Sequence, residues 1–232
     1  QKTFGSGEDT GLNFSYKIQK IQRGISDAYF IAEDYLDGAS SVLALSDNVF
    51  LGKNFFNLAE LALNKMKQKG SAIFGLPVPD PEKFGVIELD KKDNIIGIIE
   101  KPLHPKSNLI TPGMYFFDSN ASELVKSLKP SARGELEITD LIEIYLSQNK
   151  LALQRLDETI IWHDTGNADA LLEAAQKVKN YEKENKIKMG SYEIAAYEKG
   201  FIDKDQLLNI AQKFSKSDYG QYIKNVYLSG VN

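Results

Sequence analysis

Residues 42–52 read VLALSDNVFLG, and this stretch decides how the fold is interpreted. Its first part is apolar and predicts a buried strand, but Asp47 and Asn48 end the run abruptly. A carboxylate beside buried chain has to be solvated, paired, hydrogen-bonded or bound to a cation. Two interpretations follow: an Asx turn at which the strand leaves the core, or a strand that delivers an acid to a functional site.

Segments with strand and helix patterns alternate on both sides of this stretch. The predicted strands are residues 14–18, 41–45, 72–78, 86–89, 95–100, 114–118, 151–155 and 159–162. The predicted helices are residues 27–36 capped by Ser26, 54–69 closed by Gly70, 121–128, 138–148 and most of the chain after residue 168. A polar cluster, DKKDN at residues 90–94, predicts a hairpin loop.

This alternation is typical of a sheet with helices on both faces. We therefore predict a Rossmann-like α/β fold with a mostly parallel sheet, together with a helical C-terminal part. The corresponding domain prediction is an α/β core over residues 1–167 and a helical extension over residues 168–232.

Composition excludes several classes of protein. The chain has 232 residues and a formal net charge of -4, and no segment joins basic to aromatic residues as a nucleic-acid groove does. Cysteine is absent, which excludes disulfides, thiolate metal sites and a cysteine nucleophile. There is no apolar run of about 18 residues and no signal-peptide pattern. We expect a cytoplasmic protein that binds neither polymeric nucleic acid nor membrane.

Three charged residues, Asp47, Lys101 and Asp164, directly follow predicted strands. Ligands of open α/β sheets bind outside the carboxyl ends of the strands. Two carboxylates and a lysine there could hold a divalent cation and neutralise phosphate oxygens, as phosphoryl or nucleotidyl transfer requires. Structural interpretations stay open too: Asp164 could cap the next helix, and Lys101, before a proline, could be a solvated surface residue.

Two further residues also have alternative interpretations. Arg133 could lie at a phosphate site, or it could pair with Glu135 or Glu137 across a loop. Trp162 could belong to the core or form a platform for a sugar. From the residues alone, the sequence indicates an α/β protein with a candidate metal and phosphate site.

Several motifs occur in a fixed order along nearly the whole chain. They are residues 19–24 (QKIQRG), 47–50 (DNVF), 80–90 (DPEKFGVIELD), 100–108 (EKPLHPKSN), 112–118 (PGMYFFD), 130–140 (PSARGELEITD) and 162–166 (WHDTG). This order resembles that of the sugar-nucleotide pyrophosphorylases, and among them the members that use dTTP and glucose 1-phosphate. The combination of EKPLHPKSN with ARGELEITD is the most specific part of the resemblance.

The resemblance implies a nucleotidyltransferase fold of GT-A-like type, and it also implies which reaction the protein catalyses. A nucleotidyl group passes from dTTP to glucose 1-phosphate, giving dTDP-glucose and pyrophosphate, the first step of dTDP-L-rhamnose synthesis. Asp47 and Asp164 would hold Mg²⁺, which offsets the repulsion between two anionic substrates. Lys101 would grip the sugar phosphate, and Arg133 would lie close to the phosphates.

The resemblance also implies which residues bind the sugar and the base. Gly85 and Thr111 would lie where the sugar packs, and Glu100 would accept hydrogen bonds from its hydroxyls. Lys101 would also bind on the sugar side, and Trp162 would lie beside the catalytic aspartate. Gln19 would read the pyrimidine edge through its amide, and the backbone at Gly24 would complete that contact. Family members form tetramers, so we expect a homo-oligomer, with the late tyrosines 219, 222 and 227 either at an interface or packed among the terminal helices.

The chain departs from the family pattern at several positions. Residues 22–28 (QRGISDA) replace P-x-G-L-A-Q-A, which adds the carboxylate of Asp27, unfavourable beside a triphosphate unless it points away. Ser46 replaces the glycine of L-G-D-N, and Phe84 replaces a tyrosine. The loop G-G-x-G-T-R-L, whose amides cradle the triphosphate, does not occur. We therefore expect a longer full protein, and we expect residues 1–232 alone to be inactive.

Two other hypotheses remain open at this stage. One is a non-catalytic remnant that binds a nucleotide sugar. The other is a related pyrophosphorylase that uses UTP or another sugar phosphate.

Overall fold

A seven-stranded mixed sheet is the central feature of the computed structural model, which describes residues 4–228. Its strands are β1 (Ser41–Ala44), β3 (Ser71–Pro77), β4 (Gly85–Leu89), β5 (Ile95–Glu100), β6 (Leu109–Ile110), β7 (Met114–Phe117) and β8 (Leu151–Arg155). A separate two-stranded ladder consists of β2 (Asn48–Leu51) and β9 (Ile161–Asp164). The α/β class is confirmed.

The helices are α1 (Asp27–Ile31), α2 (Glu33–Leu36), α3 (Phe55–Lys69), α4 (Ala121–Val125), α5 (Ile138–Ser147), α6 (Ala168–Asn185), α7 (Tyr192–Glu198), α8 (Lys204–Lys213) and α9 (Asp218–Tyr222). Short 3₁₀ turns form at Glu8–Thr10 and Pro81–Lys83, and a π-helical turn follows α9 at Ile223–Leu228. None of the helices in this described part of the chain has the length and apolar character needed to cross a membrane.

The prediction of a mostly parallel sheet is wrong. Within residues 4–228, β3 and β8 form the one parallel pair, and the other pairs in the sheet are antiparallel. Because β7 pairs antiparallel with both β1 and β3, those two strands still point the same way, as does β8. The reason for the error is that β7 lies between β1 and β3 and runs against both, and an alternation of strands and helices along the chain does not fix which strands become neighbours.

β6 and β7 run along β3 as one interrupted strand. Leu76 pairs with Ile110 on one side of the break, and Ile73 pairs with Tyr115 on the other. Residues 111–113 lie between the two halves and belong to neither. The interruption leaves Thr111 and Gly113 unpaired with β3, and each bonds elsewhere: the amide of Thr111 donates to the carbonyl of Gly85, and the carbonyl of Gly113 accepts from the amide of Leu45.

Two apolar clusters form the core around the sheet, one on each face, and a third lies among the late helices. Side chains alternate along β3, so that Ile73 packs toward α5 while Phe74 packs toward α3. Burial of each large apolar side chain contributes about 1.5–3 kcal/mol, which makes these faces the main source of stability. The prediction of helices on both faces is confirmed.

The local predictions differ in outcome. The hairpin of β4 and β5 and the strand β8 form as predicted, and α3 ends at Gly70, whose φ is 116°. The predicted helix over residues 27–36 is divided at Ala32, and Ser26 makes no side-chain cap, because its hydroxyl donates to the carbonyl of Glu137 instead.

Two strand predictions need correction. Residues 14–18 are not a strand: Phe14 packs edge to face on Tyr192, and Tyr16 donates to the carbonyl of Gly5. β1 is less buried than its apolar sequence predicts, and Val42 is 44% exposed. The reason is that β1 pairs with β7 along one side and has no second partner among the described strands.

The chain forms two compact units, Lys17–Ala174 and the described parts of Gln1–Tyr16 with Ala175–Asn232. This grouping differs from the predicted division at residue 167 chiefly because the first residues belong with the late helices; Lys213, for example, pairs with Asp9 at 2.6 Å. In the second unit, Tyr219 donates to the buried Glu193 and Tyr227 to Glu198, so these tyrosines pack among the terminal helices.

Candidate functional site

Gly85, Glu100 and Thr111 lie together, as the resemblance implies. Gly85 of β4 stands opposite Glu100 of β5, and the amide of Thr111 donates to the carbonyl of Gly85 at 2.9 Å. A Cβ atom at Gly85 would lie 3.0 Å from Cγ2 of Thr139, 3.1 Å from Cγ2 of Thr111 and 3.4 Å from Oε2 of Glu100. A side chain at position 85 would therefore crowd Thr139, Thr111 and Glu100. We name the group Gly85, Glu100, Thr111 and Thr139 the Gly85 pocket.

The hydroxyl of Thr111 has no hydrogen-bond partner among residues 4–228, although the residue is only 4% exposed. Leaving a buried polar group unpaired costs about 1–3 kcal/mol. Such groups are rare in folded proteins, and they call for a specific explanation. A polar ligand in the adjoining pocket would supply the missing partner.

Glu100 is the acidic group of the Gly85 pocket. Burial, followed by the nearby carboxylate of Glu137, raises the pKa of Glu100 above its ordinary value. The cations of Lys101 and Arg133, each 4.0 Å from Oε1, and a hydrogen bond from Thr139 act in the opposite direction. The carboxylate is thus half-buried between two cations. It can accept hydrogen bonds from hydroxyl groups, while the cations beside it can bind a phosphate.

Lys101 is held in a strained backbone conformation. Its φ is +44°, in the left-handed region, and its amide donates to the carbonyl of Phe84 at 3.0 Å. Such a conformation in a residue other than glycine costs on the order of 1–3 kcal/mol, and strain of this kind is concentrated at functional sites. The side chain is half-exposed, so its ammonium group is accessible to a ligand.

Arg133 makes the loop pairs that the structural interpretation expects. Its Nε donates to Oε1 of Glu137 at 3.1 Å, while Nη2 donates to Oε2 of Glu137 and to Glu135, both at 2.9 Å. Burial acts to raise the pKa of Glu137, but hydrogen bonds from Arg133 and Ser131 outweigh it and lower the pKa. The pairing fixes the guanidinium at the rim of the Gly85 pocket.

Asp47 directly precedes β2, and Asp164 is the last residue of β9, the strand that pairs with β2. Asn48 stands opposite Asp164, and Thr165 donates to the carbonyl of Asp47 through its amide at 2.7 Å and its hydroxyl at 2.9 Å. A backbone bond from Asn48 to Leu45 closes the turn before β2, in place of the Asx turn considered from the sequence. The two backbones therefore approach each other at one end of the ladder.

The carboxylates of these two aspartates suit a hard cation by their donor type. Oδ1 of Asp47 accepts from the side chain of Asn48, and Oδ1 of Asp164 accepts from the amide of Gly166, each at 2.8 Å. A carboxylate has about four lone-pair positions, so capacity for a cation remains. No cluster of three or more His, Cys, Asp or Glu suited to a metal occurs in residues 4–228. A magnesium ion here would take its other ligands from water and phosphate.

The helix-cap interpretation of Asp164 is not what the structure shows. The side chain of Asn167 accepts from the amide of Ala170 at 3.0 Å in the first turn of α6. Asn167 is therefore the residue that makes the capping bond. Asp164 is left facing the turn that precedes the helix.

Asn48 joins the ladder to its surroundings, a role that the sequence did not reveal. Its Oδ1 accepts from Nε1 of Trp162 at 2.8 Å, and a Cβ on Gly113 would lie 2.7 Å from its Nδ2. Trp162 packs edge to face on Phe84, with ring centroids 5.1 Å apart. These contacts link the β2–β9 ladder to the residue that precedes Gly85.

Tyr115 lies within electrostatic reach of both regions. Its pKa is raised mainly by burial, and then by the negative charges of Glu100 and Asp47. Both carboxylates therefore act on one phenol group. The Gly85 pocket and the end of the β2–β9 ladder belong to one neighbourhood of the molecule.

Gln19 and Gly24 also lie together, within a stretch of residues 19–27 that we name the Gln19 segment. Nε2 of Gln19 donates to the carbonyl of Gly24 at 3.2 Å and to Oδ2 of Asp27 at 2.9 Å. Gly24 has a φ of +100°, and a Cβ there would meet the carbonyl of Leu136 at 2.5 Å. The segment is tied to the Arg133 loop, because the amide of Leu136 donates to the carbonyl of Arg23 at 2.6 Å.

Comparison with known proteins identifies relatives of this chain. A sequence model of the nucleotidyl transferase family matches residues 1–181. A glucose-1-phosphate thymidylyltransferase of Neisseria gonorrhoeae is 38% identical over 223 residues, which are 96% of this chain and 77% of that protein. One from Mycolicibacterium smegmatis is 38% identical over 224 residues, 96% of this chain and 76% of that protein.

Solved structures give the same picture of the fold. A Bacillus anthracis protein, described as a glucose-1-phosphate thymidylyltransferase in complex with sucrose, superposes with a TM-score of 0.66 at 35% identity, over 76% of this chain and 69% of that chain. A UDP-glucose pyrophosphorylase complexed with UDP-glucose superposes with a TM-score of 0.64 at 22% identity, over 74% and 67% of the chains, and supports the fold alone.

Proposed function

Because the chain belongs to the nucleotidyl transferase family, we propose that it transfers a thymidylyl group from dTTP to glucose 1-phosphate, giving dTDP-glucose and pyrophosphate. The observation that supports this most is the Gly85 pocket, where an acceptor carboxylate, Glu100, lies 4.0 Å from the cations of both Lys101 and Arg133. A sugar that carries a phosphate needs both kinds of group side by side.

The sugar binds with its hydroxyls toward Glu100 and its ring over Gly85. Glycine at this position leaves no side chain between the backbone and the sugar, and Thr111 offers its unpaired hydroxyl beside it. Lys101 places its ammonium beside the phosphate. Arg133, fixed by Glu135 and Glu137, adds positive charge without needing to reorganise during the reaction.

The chemistry needs positioning and charge more than it needs a general base. An anionic oxygen of glucose 1-phosphate attacks the α-phosphorus of dTTP, the bond from that phosphorus to the bridging oxygen breaks, and pyrophosphate leaves. The attacking oxygen carries no proton that has to be removed. Holding the two anions in line is therefore the main task of the site.

Asp47 and Asp164 are the residues that would hold Mg²⁺. When bound, such a cation neutralises phosphate charge and draws the two substrates together. The β2–β9 ladder fixes the backbones of both aspartates, and Asn48 and Gly166 orient their side chains. Trp162 secures that end of the ladder through its bond to Asn48.

We also propose a cellular context, which rests on the resemblance of the sequence motifs alone. The protein would act in the cytoplasm at the start of dTDP-L-rhamnose synthesis, and it would assemble as a homotetramer. Light scattering coupled to size-exclusion chromatography of the full-length protein tests the assembly. A monomer at micromolar concentration would contradict it.

A pyrophosphate-release assay on the full-length protein tests the reaction. dTTP, UTP and dCTP are combined with glucose 1-phosphate and with other sugar 1-phosphates, in the presence of Mg²⁺. We expect the highest kcat/KM for dTTP with glucose 1-phosphate. Release that is greatest with UTP or with another sugar phosphate would favour the related pyrophosphorylase. Tight binding of dTDP-glucose without release in any combination would favour a non-catalytic protein.

A further inference from the structure

The amide of Gln19 is fixed in one orientation by its neighbours. Its two partners, the carbonyl of Gly24 and the carboxylate of Asp27, can only accept hydrogen bonds. The end of the amide that faces them must therefore be the NH₂ group. An NH₂ group has two hydrogens, and both are used. Gln19 is an exposed residue, and its carbonyl oxygen Oε1 is the part of the amide left for another molecule.

Asp27 is itself held in place. It is 1% exposed, and its Oδ1 accepts from Nη2 of Arg23 at 2.6 Å while Oδ2 accepts from Gln19. The guanidinium of Arg23 lies 6.0 Å from the centre of the Phe30 ring, which adds a cation–π contact. Turning Asp27 away would leave a buried charge without partners, so the carboxylate holds Gln19 firmly.

We propose that Asp27 is a positioning residue that makes Gln19 present only an acceptor to the nucleobase, and so selects thymine or uracil over cytosine. The proposal rests on the proposed function, because it assigns Gln19 to the base. Thymine and uracil carry a hydrogen on N3, which donates to Oε1. N3 of cytosine is an acceptor and would face Oε1 lone pair to lone pair.

A glutamine that rotates freely cannot make this distinction. Its amide can turn over by half a turn and offer a donor to N3 of cytosine as readily as an acceptor to N3–H of thymine. Cytosine could still offer its 4-amino group to a fixed Oε1, but only by shifting along the pocket. The ion pair of Asp27 with Arg23 thus turns an ambiguous side chain into a selective one. It also answers the objection that this carboxylate would repel a triphosphate, because its side chain is buried against Arg23.

The decisive variant is Asp27→Asn in the full-length protein. Asparagine keeps the size of the side chain and an oxygen for Arg23, but its amide can donate to Oε1 of a glutamine that has turned over. Of the two bonds that fix Gln19, only the longer one, to the carbonyl of Gly24 at 3.2 Å, would then oppose that rotation. We expect the ratio of kcat/KM for dTTP to that for dCTP, with glucose 1-phosphate, to fall about 10-fold, the size expected for one mismatched hydrogen bond. The change should appear mainly in KM.

Asp34→Asn is the matched control, since Asp34 is an exposed aspartate on α2, and its ratio should equal that of the wild type. Calorimetric titration of dTTP and dCTP gives the same comparison without turnover. Equal losses for both nucleotides in Asp27→Asn, with the ratio unchanged, would mean that Asp27 only supports the fold, and would overturn the proposal.

A second measurement covers the case in which Asp27→Asn does not fold. The wild-type protein is titrated with dTTP and with its N3-methyl analogue, which cannot donate from N3. We expect the methyl analogue to bind at least about 10-fold more weakly, and equal binding would overturn the proposal. If the wild type discriminates between dTTP and dCTP in binding through Asp27 yet releases no pyrophosphate, the proposed function fails while this inference stands. If it turns over but Asp27→Asn leaves the ratio intact, only the inference fails.

Discussion

The Gln19 segment and the Gly85 pocket belong to the same unit, but they treat their polar groups in opposite ways. In the Gln19 segment, Asp27 is buried with both oxygens bonded, and the amide of Gln19 has used its donors. In the Gly85 pocket, Thr111 keeps an unpaired hydroxyl. Glu100 is half-buried there, with the cations of Lys101 and Arg133 and the carboxylate of Glu137 nearby. Hydrogen-bond orientation is thus fixed where a planar base is proposed to bind, while unmet hydrogen-bonding capacity remains where a polyhydroxylated sugar is proposed to bind.

Asp164→Asn removes a negative charge at the end of the β2–β9 ladder, and it should have the largest effect. The substitution removes a candidate cation ligand at nearly constant shape, so we expect turnover to fall by about 1000-fold. Pyrophosphate release measures the activity, and circular dichroism checks the fold. Asp169→Asn, at an exposed aspartate nearby on α6, should retain activity. An active Asp164→Asn protein would remove the β2–β9 ladder from the proposed site.

Gly85→Ala should impair the use of glucose 1-phosphate at the Gly85 pocket and leave the binding of dTTP at the Gln19 segment unchanged. The new methyl would lie 3.0–3.1 Å from the methyl groups of Thr139 and Thr111, so that these side chains would have to shift. We expect kcat/KM for glucose 1-phosphate to fall about 100-fold, since small displacements in a reacting pair have effects of that size, while the binding of dTTP stays unchanged.

Gly97→Ala is the control for Gly85→Ala in the same hairpin, because a Cβ at Gly97 would meet other atoms only at 3.9 Å. Loss of dTTP binding in Gly85→Ala would contradict the assignment of the two regions to different substrates.

Thr111→Val tests whether the unpaired hydroxyl serves a ligand. Valine has the same shape without the hydroxyl, so we expect the free energy of unfolding to stay constant or rise by about 1 kcal/mol, because no buried group is left unpaired. The KM for glucose 1-phosphate should rise about 10-fold, the value of one lost hydrogen bond. Chemical denaturation and steady-state kinetics measure the two quantities. A less stable protein with an unchanged KM would show that the hydroxyl serves the fold.

Glu100→Gln should have the smallest effect, on the pH dependence of stability. Because burial raises the pKa of Glu100, its protonated form favours the folded state. That stabilisation is complete below the unfolded-state value of 4.5 and is lost as the pH rises through the folded-state pKa. The stability of Glu100→Gln relative to the wild type should therefore increase with pH across this window, as denaturation at several pH values would show. Glu82→Gln, at an exposed position, should show no such trend.

The sequence predicted the parts of this site that depend on neighbours along the chain. The hairpin of β4 and β5 follows from its turn cluster, and it brings Gly85 opposite Glu100. The grouping of those residues with Thr111 came from the resemblance, and the structure places them together. Whether they bind substrate stays a prediction.

What the sequence could not predict depends on contacts between distant segments. Trp162 bonds to Asn48 across 114 residues, and Ser26 bonds to the carbonyl of Glu137 across 111. No local periodicity encodes such pairs, so Asn48 was interpreted only as a turn residue and Ser26 only as a cap. The prediction of a mostly parallel sheet is wrong for the same reason, because alternation of elements does not fix which strands become neighbours.

The gap between β6 and β7 has a consequence for how specificity can change. Thr111, Pro112 and Gly113 are framed by two short strands that both hold on to β3. Replacements within these three positions would change the surroundings of Gly85, while the flanking strands stay paired with β3. Under the proposed function, a lineage could change its sugar preference at these positions while the strands on either side kept their places.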